Sequence, residues 1–172
     1  MPDNVFGMYT PHHVGIVVSD LTAAMNAYIA NLGYAFYQFE VNEGNARLSG
    51  ASPKFSLRFG IGQLGASMIE LIQPVSGTTL YSQHLAQKGP GLHHLGFSTT
   101  DLAAARKQFA DYGCIRLEDG TINDLVDFSY FDAADLGCVV EPLQLSWDLG
   151  RFLLANAQPY APPENLPGKH AI

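Results

Sequence analysis

A chain of 172 residues is one domain's worth, or two small modules sharing a core, and 47% hydrophobic against 15% charged residues excludes a disordered polymer. A net charge of −7 and a pI near 5.1 leave no basic excess to neutralise nucleic acid or an anionic membrane surface. Cys114 and Cys138 are isolated thiols, no apolar run reaches the roughly 18 residues of a membrane span, and "MPDNVFGMYT" lacks the pattern of a signal peptide. A cytoplasmic location is the expectation.

The chain then writes one pattern twice. "HHVGIVVSDLTAA" starts at His12 and "HHLGFSTTDLAAA" starts at His93, with seven identities in thirteen positions at a fixed offset of 81. Each copy opens with a strand-like run, and Asp20 and Asp101 are placed to cap the helix that follows. In the first helix Leu21, Ala24, Met25, Tyr28 and Leu32 form an apolar stripe ending near Gly33. The strand-like runs "YAFYQFEV", "KFSLRFGI" and "ASMIELIQ" come next.

A linker with a short helix over roughly 79–87 and a Gly-Pro-Gly break leads into the second copy. There Leu102, Ala105, Phe109 and Tyr112 form the helical stripe, and "CIRLED", "LVDFSYFDA" and "GCVVEPLQL" are strand-like. The pattern predicts an α+β protein of two tandem βαβββ modules, 11–74 and 92–145, joined by a linker, 75–91. The tail, 146–172, carries one predicted helix, "WDLGRFLLAN", and then prolines that exclude regular structure.

Strand alternation separates the histidines of each pair. His13, Gly15 and Val17 share one face, and His94, Gly96 and Ser98 share the equivalent one. The glycine leaves space beside the imidazole, which selects His13 and His94 as ligands and leaves His12 and His93 as rim or packing residues. The last strand of each copy adds a carboxylate in an apolar run, Glu70 and Glu141, where an unpaired ion would be costly. Two imidazoles and two carboxylates suit a divalent cation such as zinc, nickel, cobalt, iron or manganese, with charges that sum to zero. A strand histidine or glutamate alone also fits a packing or solvent-facing role. Its repetition at equivalent places is what favours a site.

These motifs, together with "MIELIQP", "GPGLHHLGFSTTDL" and "VVEPLQ" between Pro11 and Leu145, resemble the vicinal oxygen chelate superfamily of glyoxalases, epimerases, extradiol dioxygenases and bleomycin-resistance proteins. The epimerase-like and glyoxalase-like branch is the best match, through "HLAQKGPGLHHLGF". The resemblance implies one cupped mixed sheet with helices outside, and metal ligands at His13, Glu70, His94 and Glu141. It also implies a homodimer and a small-molecule substrate, among which an acyl-CoA or other anionic compound is a candidate.

The implied activity is a metal-dependent lyase or isomerase that chelates vicinal oxygens and stabilises an enolate or enediolate, with Glu141 or Glu70 as the general base. An extradiol-type dioxygenase with iron(II) and a non-catalytic binding protein are the alternatives. Methylmalonyl-CoA epimerases carry a further catalytic glutamate on a middle strand of the first module, and the matching run here, "KFSLRFG", has no acid. With Phe55, Leu57 and Phe59 on a packing face, Arg58 is expected to face the cup and meet a substrate anion, unless it is a solvated sheet arginine. Tyr130 is the second candidate for substrate binding, against a core or interface role.

Overall fold

Two helical stripes and a series of period-2 runs need a common core, and the chain makes one by curling ten strands into a single mixed sheet. A computed structural model describes residues 9–146, 157–164 and 166. The first half runs β1 (Thr10–Val17), α1 (Leu21–Leu32), β2 (Phe36–Asn42), β3 (Ala46–Leu48), β4 (Ser56–Leu64) and β5 (Ser67–Ser76). Helix α2 (Leu80–Lys88) leads to β6 (Gly91–Ser98), α3 (Leu102–Asp111), β7 (Ile115–Ile122), β8 (Val126–Ala133) and β9 (Cys138–Leu145). A last strand, β10, is Gln158–Pro159, and the predicted helix "WDLGRFLLAN" lies outside the described residues.

The strand order is β10-β2-β4-β5-β1-β6-β9-β8-β7-β3. In each half the first and last strands are parallel neighbours, β1 with β5 and β6 with β9. β1 and β6 then pair antiparallel and weld the halves together. The four central strands are therefore the four that carry the repeated histidines and glutamates. This is the expected α+β architecture with a cupped sheet.

Helix ends follow local chemistry. The Asp20 carboxylate accepts from the Ala23 amide at 3.0 Å, and Asp101 accepts from Ala104 at 2.9 Å. Thr79 and Ser82 cap α2 reciprocally, each side chain accepting from the other residue's amide. The stripe of α1 ends earlier than its sequence suggests, because Leu32 is largely exposed.

Two strands were not marked by hydrophobic pattern. β3 is three residues from the first half that pair with β7 of the second, a long-range contact with no local signal. β10 brings Pro159 onto the edge beside β2, correcting the expectation that the prolines exclude regular structure. An edge strand tolerates proline because one side of it needs no amide donor.

The core has a cup side and two helix sides. Ile16, Val18, Leu21, Met25, Ile69 and Leu71 pack under α1, and Phe109, Phe131 and Val140 pack under α3. Val17, Leu57, Phe59, Ile72, Tyr81, Phe128 and Tyr130 fill the concave side. This reverses the expected faces of β4. Phe59 and Ile61 line the cup, whereas a side chain at Gly60 would meet Met25 and Leu21 of α1. Arg58, which shares the Gly60 face, lies on the helix side with Nη1 3.4 Å from Gln73 Oε1. Period-2 patterning finds two faces but cannot say which is concave, and here the concave face is itself an apolar core.

Candidate metal centre

The ligand-type residues reach one point because of where the strands sit in register. Glu70 stands opposite Gly15 across β5 and β1, and Glu141 stands opposite Gly96 across β9 and β6. Gly15 in turn pairs with His94, and His13 with Gly96. A Cβ on Gly15 would sit 2.0 Å from the His94 ring, and one on Gly96 would sit 2.4 Å from the His13 ring. The glycine of each "HHxG" thus makes room for the other copy's histidine, a cross-strand role invisible within either motif.

The result is a tight polar cluster in an apolar cup. His13 Nε2 lies 2.8 Å from His94 Nε2, 2.9 Å from Glu141 Oε2 and 3.7 Å from Glu70 Oε2. His94 Nε2 is 3.5 Å from both carboxylates. His13, Glu70 and His94 alone place ligand atoms all within 4.8 Å of one another. His94 is fully buried, and His13 and Glu141 are nearly so.

Electrostatics favours the charged forms of His13 and Glu70. Burial pulls the His13 pKa down, but Glu70 and Glu141 outweigh it and carry it up to about 9. Burial raises the Glu70 pKa, yet His13 and then His94 hold it below the usual carboxylate range.

This donor set fits a divalent cation. Glu141 Oε2 is buried without a hydrogen-bond partner, despite its short contact with His13. Two buried imidazole nitrogens face each other at 2.8 Å, where at most one proton can lie between them. Nitrogens that each ligate one tetrahedral zinc at about 2.0–2.1 Å are themselves roughly 3.3 Å apart, a small opening from the contact seen here. A shared cation satisfies all of these lone pairs, and two carboxylates balance its charge.

Around the cluster, the cup is lined by Phe39, Phe59, Ile61, Met68, Phe128 and Leu143, among other apolar side chains. No lysine or arginine is among its lining residues within the described chain. Tyr130, the second substrate-binding candidate, lines the cup, and its hydroxyl lies 2.6 Å from that of Tyr81. Burial, together with Glu70 and Glu141, pushes both phenols well above their ordinary value, so both stay protonated donors. Tyr81 was missed from sequence. It sits on the linker helix, and its only signal was an aromatic residue beside Leu80 on a short segment of mixed polarity.

The outer histidines are not where simple alternation puts them. The β1–β6 ladder has an extra residue between Pro11 and His13 and another between His94 and Leu92, so bulges fall at His12 and His93. A bulge restores two successive side chains to one side, and His12 lines the cup beside His13. His12 Nδ1 lies 2.8 Å from His13 Nδ1, and His93 Nδ1 lies 2.9 Å from His94 Nδ1. His93 is buried against Tyr81, Tyr130 and His84, with ring centroids 5.0, 5.6 and 5.3 Å away. Burial first, then His94, His84 and Lys88, push its pKa down to about 2. His12 is also lowered, by burial and then by His13.

Comparison with known proteins decides the family. Residues 12–125 match the model of the glyoxalase/bleomycin resistance protein/dioxygenase superfamily. The chain belongs to that superfamily. A Bacillus subtilis (strain 168) protein described as "Uncharacterized protein YqjC" is 30% identical over 99 residues, which span 58% of this chain and 64% of that protein.

Among solved structures, methylmalonyl-CoA epimerase from Mycobacterium tuberculosis superposes with a TM-score of 0.63 at 23% identity, covering 83% of this chain and 93% of its own. A variant of Streptomyces coelicolor methylmalonyl-CoA epimerase in complex with 2-nitronate-propionyl-CoA gives 0.61 at 24% identity, covering 80% and 97%. At these identities the likeness is one of fold.

Proposed function

We propose that this superfamily member is a metal-dependent lyase or isomerase that chelates two neighbouring oxygens of a small substrate and moves a proton at an adjacent carbon. One observation carries the reading. Four ligand-type side chains from both halves converge in an apolar cup, with His13 Nε2 and His94 Nε2 2.8 Å apart and each within 3.7 Å of both carboxylates. His13, His94, Glu70 and Glu141 would hold the cation. When bound, it supplies positive charge that stabilises negative charge developing on substrate oxygens.

The chain's own groups do the rest. Glu70 and Glu141 reach the centre from opposite halves, and either carboxylate, off the cation, can take a proton from the substrate. The glutamate expected on a middle strand of an epimerase is absent from β4, whose Arg58 faces α1, so the two ligand-type carboxylates are the acids at the centre. The Tyr81 and Tyr130 hydroxyls share one hydrogen bond, which leaves one O–H proton to donate to a substrate oxygen. The apolar walls exclude water and strengthen each of these interactions.

Among the described residues no lysine or arginine lines the cup, so a phosphate buried there would have no basic side chain to pair with. An acyl-CoA's phosphates would have to stay outside.

Elemental analysis of purified protein, repeated on His13→Ala and Glu70→Ala variants, tests the proposal. Near-stoichiometric divalent metal in the wild type and its loss in His13→Ala is the expected result. Metal-free protein whose divalent-ion uptake is indifferent to both substitutions refutes it. Uptake of oxygen with catechols would move the assignment to the dioxygenases.

A further inference from the structure

The doubled histidines are explained only in part by ligands at His13 and His94. We propose that His12 and His93 are positioning residues, each accepting at its own Nδ1 the Nδ1–H proton of the adjacent ligand imidazole. Each thereby fixes which nitrogen of that ligand faces the cation. The inference rests on the metal-centre reading and adds the residues that orient it.

The geometry is the same in both halves. Every contact of the two inner histidines with the carboxylates, and with each other, is made by Nε2. Their Nδ1 atoms point the other way, to His12 Nδ1 at 2.8 Å and to His93 Nδ1 at 2.9 Å. A neutral imidazole that ligates through Nε2 carries its proton on Nδ1, and a buried N–H needs an acceptor. Among the described residues, no other side-chain hydrogen bond reaches either Nδ1. The acceptor histidine must then carry its own proton on Nε2.

The bulges are what make this arrangement reachable. In a regular strand, neighbours point to opposite faces, and an adjacent residue cannot support a ligand. The extra residue in the β1–β6 ladder falls at His12 in one strand and at His93 in the other, so each doublet turns to one side. Coincidence in one copy would be unremarkable. The same distance and the same irregularity at two places 81 residues apart are not.

The choice of residue also follows from charge. Ligand histidines commonly donate to a carboxylate or a backbone carbonyl. Here Glu70 and Glu141 already neutralise a divalent cation, and two further buried carboxylates would leave the cluster net negative. An imidazole accepts the same hydrogen bond without adding charge.

The test uses the full chain, zinc as the probe, and the variants His12→Phe, His93→Phe, His12→Asn and His93→Asn. Asparagine places its amide oxygen where the histidine Nδ1 stood, whereas phenylalanine keeps the bulk and removes the acceptor. Zinc affinity is measured by competition with a chromogenic chelator, and folding by circular dichroism. Each Phe variant is expected to bind zinc about 10–100-fold more weakly, and each Asn variant to recover most of that loss.

Long-range proton–nitrogen spectra of the zinc-loaded wild type should show His13 and His94 ligated at Nε2. The same spectra should show His12 and His93 protonated at Nε2 with Nδ1 bare. If a Phe variant fails to fold, these wild-type spectra decide by themselves. Wild-type zinc affinity in both Phe variants, or a protonated Nδ1 on His12 and His93, overturns the inference and leaves the metal centre standing. A wild type that takes up no divalent metal overturns the metal centre and this inference together.

Discussion

The two halves of the site are built from the same sequence pattern and finished differently. In the second half His94 is 0% exposed, His93 4% and Glu141 5%, and the doublet is walled in by Tyr81, Tyr130 and His84. In the first half His12 is only half-buried and lines the cup, and the Glu70 side chain is 17% exposed against 6% for Glu141. Duplication supplies a symmetric cradle, and the linker helix then seals one side of it. On the proposed function, the sealed half would hold the cation and the open half would meet whatever enters the cup.

The harshest way to break that comparison is to remove a ligand. If a full set of four is worth about 10–16 kcal/mol, one ligand is worth roughly 3–4 kcal/mol, or on the order of 10²–10³-fold in affinity. His94→Ala should lose at least this much in a zinc competition assay, because no water can easily replace a fully buried imidazole. Glu70→Ala should lose less, since its site is open enough for water to substitute. Equal losses would show that the halves hold the metal alike.

Filling the glycine cradles comes next. A Cβ on Gly15 would stand 2.0 Å from the His94 ring, against 2.4 Å between Gly96 and the His13 ring. Overpacking of this kind costs about 1–3 kcal/mol, and more where the neighbour cannot yield. Gly15→Ala should therefore lower the melting temperature more than Gly96→Ala, and both should weaken zinc binding. A Gly15→Ala protein with wild-type stability and affinity would mean that His94 can move, against its burial.

Glu118 tests the second half at a distance from the metal. It is 1% exposed, pairs across the ladder with Tyr130, accepts from the Gly50 amide at 3.1 Å, and leaves Oε1 without a partner. Burial raises its pKa from 4.5 to about 7, with Gly50 opposing and Asp119 adding slightly. A folded-state pKa above the unfolded one means that its stabilising form is protonated. That stability is complete below pH 4.5 and is lost as pH rises through 7, by up to roughly 3 kcal/mol. Glu118→Gln should flatten the fall in melting temperature between pH 5 and 8. An unchanged slope assigns the dependence to other groups.

The smallest effect is expected from the phenol pair. Tyr81→Phe should cost about 1 kcal/mol of stability through its lost hydrogen bond to Tyr130. Chemical denaturation reads that change, and zinc affinity should hardly move. A large drop in zinc affinity would make Tyr81 part of the metal's support rather than of the cup wall.

The histidines at the centre were legible because duplication repeats them at an offset of 81, and the glutamates because each stands in the apolar run that closes its copy, 71 residues apart. His13 with His94 and Glu70 with Glu141 are residue types that recur where their neighbours also recur, and alternation put them on consistent faces. Alternation misled wherever something other than local pattern set the face. Arg58 turned to α1 because the concave side is the more apolar one, and Pro159 could form an edge strand because, among the described residues, no strand pairs with its outer side. His12 and His93 escaped the pattern through bulges, which depend on how β1 meets β6.

By itself, then, the sequence determined the repeat, the helices with their Asp caps, the longer strands of each copy and the four residue types that could hold a metal. Those follow from propensity, periodicity and burial cost, all local quantities. Only the tertiary structure decided that Gly15 shelters His94 and Gly96 shelters His13, that Tyr81 reaches over the cup, and that the outer histidines lie at the inner ones' Nδ1 atoms. Each of these is set by the register between strands far apart in the chain, and register is fixed by the packing of the whole sheet.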